Sequence, residues 1–465
     1  MRRLLIWIVP LAFLVACQSQ SKIPDLGLLY DTAAMARGVE RNPVIVIPGM
    51  LGSTLNQVGT ERMVWGAFVG DYANPNKKDG ARLIALPMEQ GRSLRDLQDD
   101  VYASGALESL ELRFFGLPIG VVAYVNILRV LGVGGYIDRD LAVDYGDEHF
   151  SCFQFAYDWR RDVPENAARL HAFMLEQKAY VEHEYRTRYG IEKDVRFDIV
   201  AHSMGGLLVR YLLRYGDQPL AEDGSPPTLN WAGAQLVERA VLVAPPNAGS
   251  AQAFWELLNG NKIGPFLPRY AAAILGTMPA AYQLLPRPRH GAYRNMDGEP
   301  IENALDPQLW ERCQWGLADP KQDSVLQDLL PGVDSKEDRR ALALDHQRKC
   351  LKRAAQFFRA LDVPAEPPAG TELILVAGDS HDTRYAIKIG VETGEVEVAE
   401  SGPGDGTVLR SSALMDERLD GDWGSVLRSP IHWDRVFFFF DDHLGLTMNP
   451  GFMDNLLYLL LEEPR

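Results

Sequence analysis

The chain has 465 residues, 46% of them hydrophobic and 24% charged, with a formal net charge of −16. That composition is ordinary for a globular protein and supplies enough apolar material for a sizeable core. The acidity, with no basic cluster against it, excludes nucleic acid as a partner, and neither a low-complexity tract nor an internal repeat is present.

The first residues read as a targeting segment. Met1-Arg2-Arg3 is basic, Leu4 to Ala16 is almost wholly apolar, and Gln18-Ser19-Gln20-Ser21-Lys22 is polar. This is the order of a secretory signal, and the apolar part is too short to span a bilayer, which takes about 20 residues. Leu14-Val15-Ala16-Cys17 resembles a bacterial lipobox, in which the cysteine becomes the first mature residue and carries acyl chains. The expectation is a signal peptide over 1–16, a lipidated tether over 17–40 and a catalytic domain over 41–465. Gln18 after Cys17 is what this resemblance associates with the outer membrane, so an exported lipoprotein there, facing the periplasm or the surface, is expected. Net negative charge repels anionic lipid weakly, but each buried CH₂ of an acyl chain contributes about 0.8 kcal/mol, so the anchor wins.

Past the tether, short apolar runs recur: Val44 to Gly49, Phe153 to Tyr157, Val195 to Ala201, Arg239 to Ala244, Leu373 to Ala377 and Val436 to Phe440. Such runs suit buried parallel strands. Helical patterns lie between several of them, over Asn166 to Arg188 and Leu207 to Tyr215, and a helical tail runs from Phe452 to Leu461. The alternation predicts an α/β fold with a doubly wound, mostly parallel sheet. Two stretches, about 51–148 and about 250–370, are too long for simple crossovers and are rich in apolar residues. They read as lid and cap insertions, the first facing the membrane, and Pro364 to Gly370 reads as a linker back to the core.

Cysteines are sparse. An exported chain could form one disulfide, and Cys313 with Cys350 is the expected pair because both lie in one inserted segment; Cys152 reads as a core residue. Neither CxxC nor HExxH occurs, so no zinc and no cofactor is expected, and no obligate protein partner is evident.

The most informative stretch is Val195 to Leu207, where a strand runs into Ala201-His202-Ser203-Met204-Gly205 and then into a helix. Strand, sharp turn and helix in that order make the nucleophile elbow of an α/β-hydrolase, with small residues letting the turn close. Ser203 is the expected nucleophile, and the Met204 amide can donate to an oxyanion. A second donor should follow an earlier strand, and Met50, in Pro48-Gly49-Met50-Leu51-Gly52, is the candidate. The acid and then the base should follow the nucleophile. His443 comes just after the Val436 to Phe440 run, where catalytic groups gather in open α/β sheets, whereas His432 precedes that run. For the acid, Asp379 at a strand tip and Asp405 after a hairpin over Ile387 to Val398 are equal candidates by position.

Together these residues resemble the lecithin:cholesterol acyltransferase and phospholipid:diacylglycerol acyltransferase family. The resemblance is carried by Pro43 to Ser53, Tyr157-Asp158-Trp159-Arg160, the Ser203 elbow, Ala244-Pro245 to Ser250, Tyr282-Gln283-Leu284-Leu285-Pro286, Gly404-Asp405-Gly406-Thr407-Val408 and His443-Leu444. It departs from the family where Gly402-Pro403 precedes the acid segment and where the first insertion holds no cysteine pair. The resemblance implies Asp405 as the acid. It also implies acyl transfer from a phospholipid or related ester to an alcohol or to water, with a lipid or ester as substrate. Asp158, Trp159 and Arg160 are expected to fix a loop rather than do chemistry. A broad esterase and a silent lipid-binding lipoprotein are the rival readings.

Overall fold

A computed structural model describes residues 23–67, 70–106, 109–114, 117–122, 124–141, 148–262, 268–418 and 424–464. The expected signal peptide and Cys17 lie outside them. Six strands form the central sheet: β1 (Val44–Ile47), β2 (Cys152–Gln154), β3 (Phe197–His202), β4 (Val237–Val243), β5 (Glu372–Gly378) and β6 (Arg435–Phe439). Their spatial order is β6-β5-β4-β3-β1-β2, and each neighbouring pair is parallel.

The strands are mostly apolar, with polar residues such as Arg239, Glu372 and Arg435 toward their ends, because both faces of the sheet are covered. Alternate side chains point to opposite faces, so Val44 and Val46 pack on one side with α1 (Val125–Val133) and the C-terminal Leu456, Leu457 and Leu460. Ile45 and Ile47 pack on the other side with residues of α2 (Val163–Glu184) and α3 (Met204–Tyr215). Past these, α4 (Ala251–Asn259), α5 (Lys336–Leu361) and α6 (Pro450–Leu461) complete the longer helices. Among the described residues no helix is long and apolar enough to cross a membrane.

Between β1 and β2 the chain builds a three-stranded antiparallel sheet from Ser53–Gln57, Met63–Trp65 and Val101–Ala106, and a hairpin of Ser109–Phe114 with Leu117–Val122. Between β4 and β5 lie α4 and α5. The Tyr157-Asp158-Trp159-Arg160 segment clamps the first of these stretches to the core. Arg160 is fully buried, bonds Asp158 and Asp99, and donates to the Leu83 and Ile84 carbonyls. Trp159 Nε1 donates to the Ser53 carbonyl at 3.1 Å. A buried guanidinium is tolerated only when its donors are met, and here they are.

Several expectations are corrected. The second strand stops at Gln154 rather than reaching Tyr157, because Tyr157 turns away to take Ser53 Oγ on its amide and Pro48 on its hydroxyl. The helix after Ser203 begins at Met204, three positions before the apolar periodicity starts, since Gly205 and Gly206 carry no hydrophobic signal. Cys313 and Cys350 are not bonded to each other. Both are free and buried, and the Cys313 thiol points instead to the Val391 carbonyl at 3.5 Å. Cys152 is a free core thiol beside the Asp138 carboxylate.

Candidate active site

At the carboxyl end of β3 the chain reverses sharply. Ser203 sits at φ 54°, ψ −124°, and α3 starts with the next residue. Positive φ is costly for a residue with a side chain and persists only where surroundings impose it. Here the Ser203 amide donates to the Val243 carbonyl at 2.8 Å, and the Gly206 amide returns to the Ser203 carbonyl at 2.9 Å. The turn also needs space: a Cβ on Gly205 would lie 2.6 Å from the Pro48 carbonyl oxygen.

The loop after β1 runs directly against this turn. A Cβ on Gly49 would lie 2.8 Å from Ser203 Cβ, so the chain can pass only as glycine, and Met50 follows at once. Gly52 N–H closes the loop onto the Gly49 carbonyl at 3.1 Å. Met204 opens α3, where the first amides lack intrahelical acceptors and the helix dipole favours negative charge. The two amides expected to meet an oxyanion therefore flank Ser203 from two elements.

The structure brings Ser203, His443 and Asp405 together. His443, in the loop after β6, places Nε2 2.9 Å from Ser203 Oγ and Nδ1 2.8 Å from Asp405 Oδ2. The other carboxylate oxygen, Oδ1, accepts from the Thr407 and Val408 amides at 2.9 and 2.7 Å. Burial pushes the Asp405 carboxyl up, but the adjacent His443, by charge and hydrogen bond, and the two amides outweigh it and hold it below the usual carboxylate range. An ionised Asp405 only accepts, so Nδ1 of His443 carries the proton and Nε2 faces the serine hydroxyl as acceptor. Asp379 goes elsewhere, to Arg410 at 2.9 Å, and His432 stands half-exposed near Asp434.

The loop that carries Asp405 is tied to its neighbours. Ser250 Oγ donates to the Thr407 carbonyl at 2.6 Å, Gly406 N–H donates to Thr383 Oγ1 at 2.8 Å, and the His443 amide donates to the Asp405 carbonyl at 3.0 Å. The first of these contacts joins the Ala244 to Ser250 segment to the Gly404 to Val408 segment.

Two buried side chains escape sequence reasoning. His202 places Nε2 2.9 Å from the His443 carbonyl oxygen, and its Nδ1 lies 3.0 Å from the Tyr124 hydroxyl. Tyr124 in turn accepts from the Gly49 amide at 2.8 Å. His202 stands beside Ser203 and could have been noticed, whereas Tyr124 lies far away in sequence with no motif around it. Among the described residues no group of three or more His, Cys, Asp or Glu side chains is placed to hold a metal ion.

Residues 142–316 match the family model for lecithin:cholesterol acyltransferase. That span takes in Tyr157 to Arg161, the Ser203 elbow, Ala244 to Ser250 and Tyr282 to Pro286, while Met50, Asp405 and His443 lie outside it. Among solved structures, the Tle4–Tli4 complex is similar, with a TM-score of 0.52 at 16% identity over 90% of this chain and 98% of that one. The lipase BlEst2 of Bacillus licheniformis in its propeptide form gives a TM-score of 0.35 at 12% identity, over 92% of this chain and 52% of that one. EstA of Clostridium botulinum gives 0.34 at 10% identity, over 96% and 99%. No curated protein matches the chain in sequence. The family match supports an enzyme that acts on lipid esters, as acyltransferase or hydrolase. Residues 142–316 are thus similar to the lecithin:cholesterol acyltransferase family, and the chain that carries them has the α/β-hydrolase fold.

Proposed function

We propose that the protein is a serine-dependent O-acyltransferase that moves a fatty acyl group from a phospholipid or similar ester to an alcohol acceptor. One observation carries the reading: the unbroken series Ser203 Oγ, His443 and Asp405, with bonds of 2.9 and 2.8 Å, beside the Gly49–Met50 loop.

In the first half-reaction His443 Nε2 takes the Ser203 proton as Oγ attacks the ester carbonyl. The Met50 and Met204 amides hold the resulting oxyanion, and Asp405 stabilises the imidazolium. Collapse breaks the ester C–O bond, and His443 returns the proton to the leaving alcohol. An acyl-Ser203 ester remains. An acceptor alcohol then repeats the steps in reverse, its proton passing to His443 and then to Ser203. Water in place of the alcohol turns the same residues into a lipase or phospholipase.

The setting proposed for this chemistry is a membrane surface reached through acylated Cys17, in an exported lipoprotein at the outer membrane. A Cys17→Ser variant would then leave the membrane fraction; if it sediments with membranes as the parent does, the anchor lies elsewhere.

The test of function uses the full chain beside its Ser203→Ala variant. Each is incubated with phospholipid vesicles containing diacylglycerol or a long-chain alcohol, and products are separated by mass. The expected result is a new acyl ester made by the parent alone, with the variant reduced by at least about 10⁴-fold. Free fatty acid without acyl ester would make the protein a hydrolase. Equal products from both proteins would remove Ser203 from the chemistry.

A further inference from the structure

Gly49, Tyr124, His202 and His443 are linked by three hydrogen bonds that the proposed chemistry does not use. The His443 carbonyl only accepts, so His202 Nε2 carries a proton and donates to it at 2.9 Å. Burial, then the neighbouring His443, pushes the His202 imidazole down to about 3, so it is neutral and its Nδ1 is an acceptor. The Tyr124 hydroxyl must then donate to Nδ1 at 3.0 Å, while its oxygen accepts from the Gly49 amide at 2.8 Å. Every donor in this chain has one acceptor, and the proton order is fixed from end to end.

The far side of the same peptide is held as well. The Pro48 carbonyl accepts from the Tyr157 hydroxyl at 2.8 Å. Both polar atoms of the Pro48–Gly49 peptide are thus gripped by tyrosine hydroxyls, and Tyr124, Tyr157 and His202 are each 2% exposed. The next peptide carries the Met50 N–H, the expected oxyanion donor, one residue after the glycine that runs against Ser203.

We infer that Tyr124 and His202 are positioning residues, which hold the Met50 amide and the His443 loop in register across the nucleophile. Neither touches the reacting atoms. Tyr124 orients the peptide before the oxyanion amide, and His202 transmits the position of the base loop to that tyrosine. An oxyanion donor works only when aimed at the place where charge develops, so a small rotation of this peptide is felt in the transition state and not in the bound ester. The inference rests on Ser203 as nucleophile and deepens that reading.

The test measures turnover of 4-nitrophenyl butanoate by the full chain and by its Ser203→Ala, Tyr124→Phe, His202→Leu and Tyr124→Phe/His202→Leu variants. Inhibition by phenylboronic acid, which forms a tetrahedral adduct on a nucleophilic serine, is measured in parallel. Tyr124→Phe is expected to lower kcat about tenfold or more with KM within about twofold, and to weaken the boronic acid by a similar factor. Because the residues act as one unit, the double variant should lose no more than His202→Leu alone. If His202→Leu does not fold, the match between kcat and boronic acid affinity in Tyr124→Phe decides the matter. Parent-like kcat in Tyr124→Phe with an inactive Ser203→Ala overturns this inference alone, as does a lower melting temperature with unchanged turnover per folded molecule. Retained turnover in Ser203→Ala overturns the nucleophile and this inference together.

Discussion

Two aspartates compete for one role, and the choice between them is a matter of a few ångströms. Asp379 lies at the tip of β5 and bonds Arg410 at 2.9 Å, while Asp405 reaches His443 at 2.8 Å and takes two amides on its other oxygen. Asp405→Asn should lower kcat by about 10⁴-fold, because the amide no longer holds the proton on the correct imidazole nitrogen. Asp379→Asn should stay within about threefold of the parent in the same ester assay; the reverse ranking would put the acid at Asp379. Position along the chain does not separate the two, since Asp405 follows directly on an antiparallel pair of nine-residue strands, His381–Ile389 with Val396–Gly404, and its approach to His443 depends on how that pair folds. His202 makes a second prediction at this scale. Its folded value of about 3 lies below the unfolded value of about 6.5, so between those pH values the unfolded chain binds a proton that the folded chain refuses. The stability this residue confers is full above about pH 6.5 and falls as pH drops through the window. Melting temperature should therefore fall more steeply between pH 6.5 and 4 in the parent than in His202→Gln, and equal slopes would contradict the neutral imidazole.

The elbow and the loop after β1 act as one element. Gly205 leaves 2.6 Å between its missing Cβ and the Pro48 carbonyl, a backbone atom that cannot swing aside. Gly205→Ala should push that loop off Ser203 and lower kcat by about 10²–10³-fold, the scale of losing one oxyanion donor, with a folded circular dichroism spectrum. Parent-like turnover would mean that the loop has freedom the packing does not indicate. Much of this element is legible in the sequence because the signals are local: four consecutive apolar residues at Val44–Ile47, glycines at 49 and 52, and small residues on either side of Ser203. The grip on the Pro48–Gly49 peptide is not legible. It depends on Tyr124 and Tyr157, whose approach is set by α1 and by the turn after β2. Periodicity likewise misplaces the ends of β2 and α3, where side-chain bonds and glycines decide in place of hydrophobic pattern.

Across the whole molecule the sheet order and its two covered faces follow from strands that are mostly apolar on both sides, and they bring the carboxyl ends of β3 and β6 to one edge of the sheet with β4 and β5 between them. The stretch between β1 and β2 is joined to this core through a buried charge cluster. Arg160 bonds Asp158 at 2.9 and 2.7 Å and Asp99 at 2.5 Å. Arg160→Met leaves Asp158 and Asp99 with Arg161 as their one cation in this cluster and takes the guanidinium donor from the Leu83 and Ile84 carbonyls, and should cost about 3–5 kcal/mol of stability in denaturant unfolding. A cost under 1 kcal/mol would show that the cluster does not join the parts. The expected Cys313–Cys350 bridge fails because sharing an inserted segment does not bring two thiols together: Cys350 is enclosed in α5 and Cys313 faces Val391. Reductant should accordingly leave the melting temperature unchanged. The central claim is that acyl transfer passes through Ser203, and a rapid quench tests it most directly. The full chain is mixed with phospholipid vesicles, stopped in acid within the first turnover and digested. One peptide, the one bearing Ser203, is expected heavier by a single fatty acyl group and unshifted in Ser203→Ala. Acyl product formed with that peptide unmodified, or the same mass shift on another residue, would contradict that claim.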